Sequence, residues 1–287
     1  MSRNVTIEND KFIIDISTLG AEIQSFRDKS GNEYLWQGDP AVWSGRAPVL
    51  FPICGALAKG KFTLDKHVYK LEKHGFALKS SFELEAQSTN SASFLLTDSE
   101  NTLQSYPFSF ELRVIFTLEN STLKVEYRVC NRGEKTMYFS CGAHEAYALP
   151  CGIDGTQIAF EKNEELKSYL TNGSLLSDEY EKIETDKNIL TLTASHFDEK
   201  SLIFKDIRSK SVTLTRSGDG KRVRVDFDGF DHLLLWQVAG AKYICIEPWT
   251  GLPDPVDSTG DITKKPSITK LEPGKEKSFF HQITILD

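Results

Sequence analysis

The sequence predicts an all-β protein, a large antiparallel β-sandwich, and three observations carry that expectation. Apolar residues alternate with polar ones in long runs, turn residues separate the runs at short intervals, and almost no stretch carries a helical apolar period. Only 163–183 reads as partly helical or irregular.

The clearest alternation places Phe108, Phe110, Leu112, Val114, Phe116 and Leu118 at every second position, with Ser109, Glu111, Arg113 and Thr117 between them. After a polar break at 119–122, Leu123, Val125, Tyr127 and Val129 repeat the pattern against Lys124, Glu126 and Arg128. Successive strand side chains point to opposite faces, so this predicts a long antiparallel hairpin with one buried face. Shorter runs follow the same rule at 11–16, 93–97, 135–139, 156–160, 202–204, 212–215, 223–227, 233–237, 243–246 and 279–286. Asn131-Arg-Gly133, Gly152-Ile-Asp-Gly155, Asp219-Gly220 and Ala239-Gly-Ala241 punctuate them. No Pro/Gly/Ser-rich tract, charge block or fixed-period repeat divides the chain, and strand runs reach both ends. One sandwich domain over 1–287 is the expectation.

Composition removes several function classes. The chain has 287 residues, 39% hydrophobic and 26% charged, enough to bury a large core. Its 34 Lys and Arg against 41 Asp and Glu leave a net charge of -7, with no basic run to meet a phosphate backbone, so no nucleic-acid partner is expected. The longest apolar stretches, such as 232–238, fall far short of the ~18 residues that span a bilayer, so no membrane partner is expected. The first ten residues carry no apolar signal core. Five cysteines, odd in number and widely spaced, with no C-x-x-C, predict reduced thiols, a cytoplasmic location and no structural zinc.

Some apparent motifs dissolve on their surroundings. Ser217-Gly-Asp-Gly-Lys221 joins two strand runs, so it reads as a hairpin turn rather than a phosphate loop. Asp226 and Asp228 lack a third metal ligand at useful spacing, and Cys141 with His144 is at best half a metal site. No metal is expected.

Four segments hold more chemistry. His144 follows an apolar strand and shares its face with Gly142 and Ser140, small residues that leave a depression where a ligand can sit. It could serve as acid or base, or as a structural hydrogen-bonder. Glu247 ends an apolar strand and runs into Pro248-Trp-Thr-Gly-Leu-Pro-Asp254. A carboxylate so placed is a base with a raised pKa, unless an arginine pairs with it. Arg46 sits among Gly, Pro and aromatic residues, and His74 precedes a glycine that permits close backbone approach.

In this order and at these separations the segments resemble the aldose 1-epimerase (mutarotase) family, in its short bacterial branch. The matching pieces are Arg46-Ala-Pro-Val-Leu-Phe-Pro, His74-Gly-Phe-Ala, Gly142-Ala-His144, Glu247-Pro-Trp-Thr-Gly-Leu-Pro-Asp254 and Lys265-Pro-Ser-Ile-Thr-Lys-Leu-Glu-Pro-Gly274. The resemblance implies a galactose mutarotase-like supersandwich whose concave face holds one monosaccharide. It implies Glu247 as general base on the anomeric hydroxyl and His144 as general acid on the ring oxygen. Arg46 and His74 would bind sugar hydroxyls, with Asp198, in His196-Phe-Asp198, as a further hydroxyl acceptor. It implies a small-molecule sugar as partner, no metal or organic cofactor, and a monomer or homodimer.

Two positions depart from the family pattern. Glu145 follows His144 where many relatives have proline, and Leu78 stands where the hexose-6-phosphate mutarotase branch carries an arginine. Losing that arginine removes a charge-assisted phosphate contact, which favours an unphosphorylated hexose. The competing class is a non-catalytic carbohydrate-binding sandwich with Trp36, Trp43, Trp236 and Trp249 as platforms, one or two of them in the core. A family fold that has lost its activity is a third reading. The presence of both His144 and Glu247 favours the enzyme over either.

Overall fold

The hairpin expected from alternation is the centre of the larger sheet. A computed structural model describes residues 3–198 and 200–286. Strands Phe110–Glu119 and Thr122–Asn131 pair antiparallel over their full length, every second residue buried along most of it. Ser91–Thr97 joins one side and Glu276–Leu286 the other. Among the described residues the sheet grows to nine antiparallel strands, from Ile189–Thr191 at one edge to Glu83–Gln87 at the other.

A six-stranded antiparallel sheet faces it. Its order is Glu145–Ala148, Tyr243–Trp249, His232–Trp236, Leu202–Phe204, Leu166–Asn172 and Leu175–Ile183. The core includes Phe110, Leu112, Val114 and Phe116 from one sheet with Tyr147, Ile244 and Ile246 from the other. Fully burying such a side chain contributes about 1.5–3 kcal/mol, so the paired apolar faces hold the sandwich shut. Phe110 also meets Phe51 at 5.1 Å and Phe76 at 5.8 Å, which fixes the segment carrying His74. Phe110→Ala would cost about 3–5 kcal/mol and loosen that segment.

The strand Tyr243–Trp249 is buried along its whole length, on both faces. Ile244 and Ile246 point into the sandwich, while Tyr243 and Cys245 lie under Trp36, Trp43 and Trp236 on the outer face. The outer face is therefore roofed, and Glu247 follows Cys245 onto it.

The segment 163–183 corrects the sequence reading. It is a β-hairpin, Leu166–Asn172 with Leu175–Ile183, at the edge of the smaller sheet. A register shift between Tyr169 and Thr171 breaks its alternation, and most of Leu175–Ile183 is at least partly exposed, so charged residues hide the period. Gly173, at φ +61, makes the two-residue turn possible. The strands Asn4–Glu8, Ile23–Asp28, Lys61–Leu64, His67–Lys70 and Glu83–Gln87, and a short helix Glu100–Ser105 capped by Ser99, also lie outside the runs read from sequence.

The 217–221 segment turns between Ser211–Thr215 and Arg222–Asp226. Asp226 is held by Arg224 at 2.6 Å, and the five cysteines are free thiols. Among the described residues no helix is long and apolar enough to cross a membrane.

Candidate active site

Sheet register brings the two strongest sequence candidates together. Tyr243–Trp249 runs between Glu145–Ala148 and His232–Trp236, with Glu145 opposite Ile246 and Leu234 opposite Glu247. His144, one residue before Glu145, projects to the face that Glu247 uses. Its Nε2 lies 3.2 Å from Glu247 Oε2, and the two side chains are 10% and 2% exposed. The segment before it is clamped: Gly142 bridges to Leu50 and Trp249, and Ala143 N donates to Pro248 O at 3.1 Å.

The pair lies in the wall of a cavity of about 240 Å³, with His74, Lys73, Trp43 and Leu78 among the other walls. Trp43 stacks on the His144 ring at 5.4 Å, and Trp236 meets it edge-on at 5.6 Å. The depression expected beside Gly142 is filled. A Cβ there would come within 2.6 Å of the Trp249 indole, so the protein uses that space to seat its own side chain. Likewise Ser140 takes Cys54 N–H at 2.8 Å rather than facing a ligand.

His74 reaches the same cavity for a local reason. It has φ +68, and Gly75 packs so tightly that a Cβ would lie 2.3 Å from Phe51 O. His74 Nδ1 accepts the Gly55 N–H at 3.2 Å, which leaves Nε2 carrying the ring proton. The imidazole stands 5.6 Å from His144 and nearly perpendicular to it.

Electrostatics follow from burial. Desolvation holds the Glu247 carboxyl well above the usual carboxylate range, with the Lys73 charge opposing it and Glu145 adding to it. Burial pushes His144 down to about 3, and drives His74 well below neutrality with His144 and Lys73 contributing. Burial thus favours the uncharged form of each group, a protonated carboxyl beside a neutral imidazole. Cys245 lies under the same face, and its sulfur, a His144 nitrogen and a Glu247 oxygen fall within 4.8 Å of one another. That is a donor set a zinc-like ion accepts, at a place where it would compete with protons for the same atoms.

Two sequence candidates lie elsewhere. Arg46 does not line the cavity: its guanidinium binds Gln24 Oε1 and, at 2.7 Å, Gln37 O. Its backbone N–H and that of Ala47 donate to Glu22 at 2.8 and 3.0 Å, so Arg46 fastens the segment that presents Trp43. Asp198 is exposed at the end of the turn Ala194–Phe197 and lines no part of the cavity around the pair. The sequence reading missed Lys73 and Ser201. Lys73 could have been found as the neighbour of His74; nothing local marks Ser201. Of the four tryptophans, Trp43, Trp236 and Trp249 face the cavity, while Trp36 packs on Tyr243 at 5.1 Å.

Similarity to known proteins agrees with this architecture. Protein LacX (chromosomal) of Lactococcus lactis subsp. lactis is 34% identical, over 99% of each chain. The structure of a galactose mutarotase related enzyme from Lactobacillus acidophilus superposes with a TM-score of 0.93 at 31% identity, covering 99% of this chain and 98% of that one. A galactose mutarotase-like protein from Lactobacillus casei gives 0.94 at 28% identity, covering 99% and 100%. The fold is thus the galactose mutarotase-like sandwich. The aldose 1-epimerase family model matches residues 3–284, and the chain belongs to that family.

Proposed function

We propose that this chain, acting as one domain, is an aldose 1-epimerase that interconverts the α and β anomers of an unphosphorylated hexose. The observation that carries the reading is the 3.2 Å contact between His144 and Glu247 in the wall of a small, tryptophan-walled cavity. Opening a pyranose removes one proton from the anomeric hydroxyl and delivers one to the ring oxygen. Both oxygens are bonded to C1, so two proton-handling groups side by side can address them together.

The proton count of the pair suits this exchange. It holds one proton whether written as Glu–COOH with neutral imidazole or as carboxylate with imidazolium. Burial favours the first in the free protein; the Lys73 charge favours the carboxylate of the second but opposes its imidazolium. In the second form Glu247 takes the hydroxyl proton and His144 protonates the ring oxygen. The C1–O5 bond breaks, and rotation about C1–C2 turns the aldehyde. Reclosure on its other face, with the two roles exchanged, yields the opposite anomer. His74, neutral and with Nδ1 committed to Gly55, offers Nε2–H to a sugar oxygen as charge gathers there. Leu78 presents an apolar wall, which supports a neutral substrate over a phosphate ester.

NMR saturation transfer between the anomers of glucose and galactose tests the reading, with Glu247→Gln as the control. Exchange by the wild type that the variant loses supports it. Sugar binding without exchange by the wild type would hand the site to the carbohydrate-binding reading.

A further inference from the structure

The cavity beside His144 and Glu247 does not end at a single sugar. Lys73, Ser201, Leu234, Trp236 and Trp249 line it and also line a second chamber of about 410 Å³. Small-molecule sites usually occupy about 300–1,000 Å³, so the first chamber is small alone and ordinary in size with the second.

The outer wall of the second chamber is the turn of the hairpin Leu166–Asn172 and Leu175–Ile183, through Thr171, Gly173 and Ser174. That turn is fixed to the segment that follows Glu247. Leu176 N donates to Asp254 O at 2.9 Å, and Val256 N returns to Leu176 O at 3.0 Å. Asp254 is itself buried on Lys265 at 2.8 Å and takes the Ala58 N–H at 2.9 Å. The wall is therefore anchored to the framework of the proposed active site. Its chemistry is mixed: indole faces of Trp236 and Trp249, against hydroxyls of Thr171, Ser174 and Ser201. A pyranose has the matching surfaces, an apolar C–H face and a rim of hydroxyls. Lys200 is held by Glu181 at 2.6 Å, which leaves Lys73 as the one cation of this wall without an ion-pair partner among the described residues.

We propose that the second chamber is a glycosyl subsite, so that the preferred substrate is a reducing disaccharide. The inference rests on the epimerase reading for the first chamber. The reducing hexose sits with C1 on His144 and Glu247. Because C4 lies across the ring from C1, a 1→4-linked residue passes Lys73 and Ser201 into the second chamber. Remote binding of this kind raises kcat/KM for the longer substrate.

Anomer exchange of cellobiose, lactose and maltose is compared with that of glucose, galactose and their 6-phosphates. At least one disaccharide should exceed the free monosaccharides in kcat/KM by about tenfold or more. Ser174→Trp, at an exposed turn, fills the chamber; it should remove that advantage and leave monosaccharide exchange within about twofold. Disaccharides no better than monosaccharides would overturn the proposal, as would equal losses for both in Ser174→Trp. A larger gain for a 6-phosphate than for any disaccharide would also overturn it and make the chamber an anion site around Lys73. If no sugar is exchanged, calorimetric binding separates the two readings. Tighter disaccharide binding that Ser174→Trp abolishes keeps the subsite while the epimerase reading fails; equal binding ends both.

Discussion

His144 and Glu145 are adjacent in sequence and face opposite ways, and each finds a partner of the other type. His144 meets Glu247 at 3.2 Å on the outer face of the smaller sheet. Glu145 meets His281 at 3.0 Å between the two sheets, where His281 stacks on Tyr127 at 5.8 Å. All four residues are buried. The first pair opens on a cavity with His74, Lys73 and Trp43 around it. The second is sealed among aromatic side chains, where it links Glu145–Ala148 to Glu276–Leu286 across the core. Burial and pairing are thus common to both, and access to a cavity is what sets the outer pair apart and makes it the one proposed for chemistry. The inner pair also gives a structural reason for a glutamate at 145: its side chain faces a histidine of the opposite sheet.

The comparison breaks most sharply under substitution of the outer pair. Glu247→Gln keeps shape and reach but removes the proton-handling carboxyl, and His144→Asn does the same for the imidazole. Each should lower kcat for anomer exchange by ~10²-fold or more while sugar binding persists. Wild-type exchange rates in Glu247→Gln would end the acid–base assignment. The inner pair should answer in the opposite currency. His281→Leu leaves Glu145 buried without a partner and should cost about 3–5 kcal/mol by urea unfolding, with little change in kcat of the folded fraction. A variant that unfolds normally but loses exchange would place the inner pair in the reaction.

A smaller effect sharpens the same contrast through pH. Glu247 titrates well above its ordinary value of 4.5 in the folded protein, so its stabilising contribution is complete below that value and is lost as pH rises through the folded pKa. The stability of the wild type relative to Glu247→Gln should therefore fall as pH rises. His144 is shifted the other way, so its contribution is complete above its ordinary 6.5 and is lost only as pH falls toward about 3. With one proton needed on the pair, kcat/KM should fall on an alkaline limb that lies above the usual carboxylate range, and its acid limb should lie well below 6.5. An acid limb near the ordinary histidine value would show that the pair is wet in solution.

What the sequence made legible was whatever a period or a fixed neighbour encodes. The central hairpin was visible because Phe110 to Val129 bury one face without a break. The 163–183 hairpin was not, because its bulge and exposed face erase the alternation. At the site, His144 and Glu247 are each legible at the end of a strand, but their contact depends on the register of 145 against 246, which no local pattern carries. Gly142 looked like empty space because its occupant, Trp249, lies more than a hundred residues away in the chain.

Arg46 offers the finest test. Read as a sugar ligand, it would act on binding alone, and Arg46→Ala would raise KM at a constant pH profile. The structure commits its guanidinium to Gln24 and Gln37, in the segment whose Trp43 covers the His144 ring at 5.4 Å. Loss of those bonds should loosen Trp43 and admit water to the imidazole. Desolvation is what holds His144 low, so wetting it should move the acid limb of kcat/KM upward toward its ordinary value. KM and kcat should each change by only about a few-fold, because nothing that touches the sugar has been removed. Arg46→Lys, which keeps one donor for the Gln37 carbonyl, should restore part of the shift. A large rise in KM with the limb unmoved would return Arg46 to the sugar.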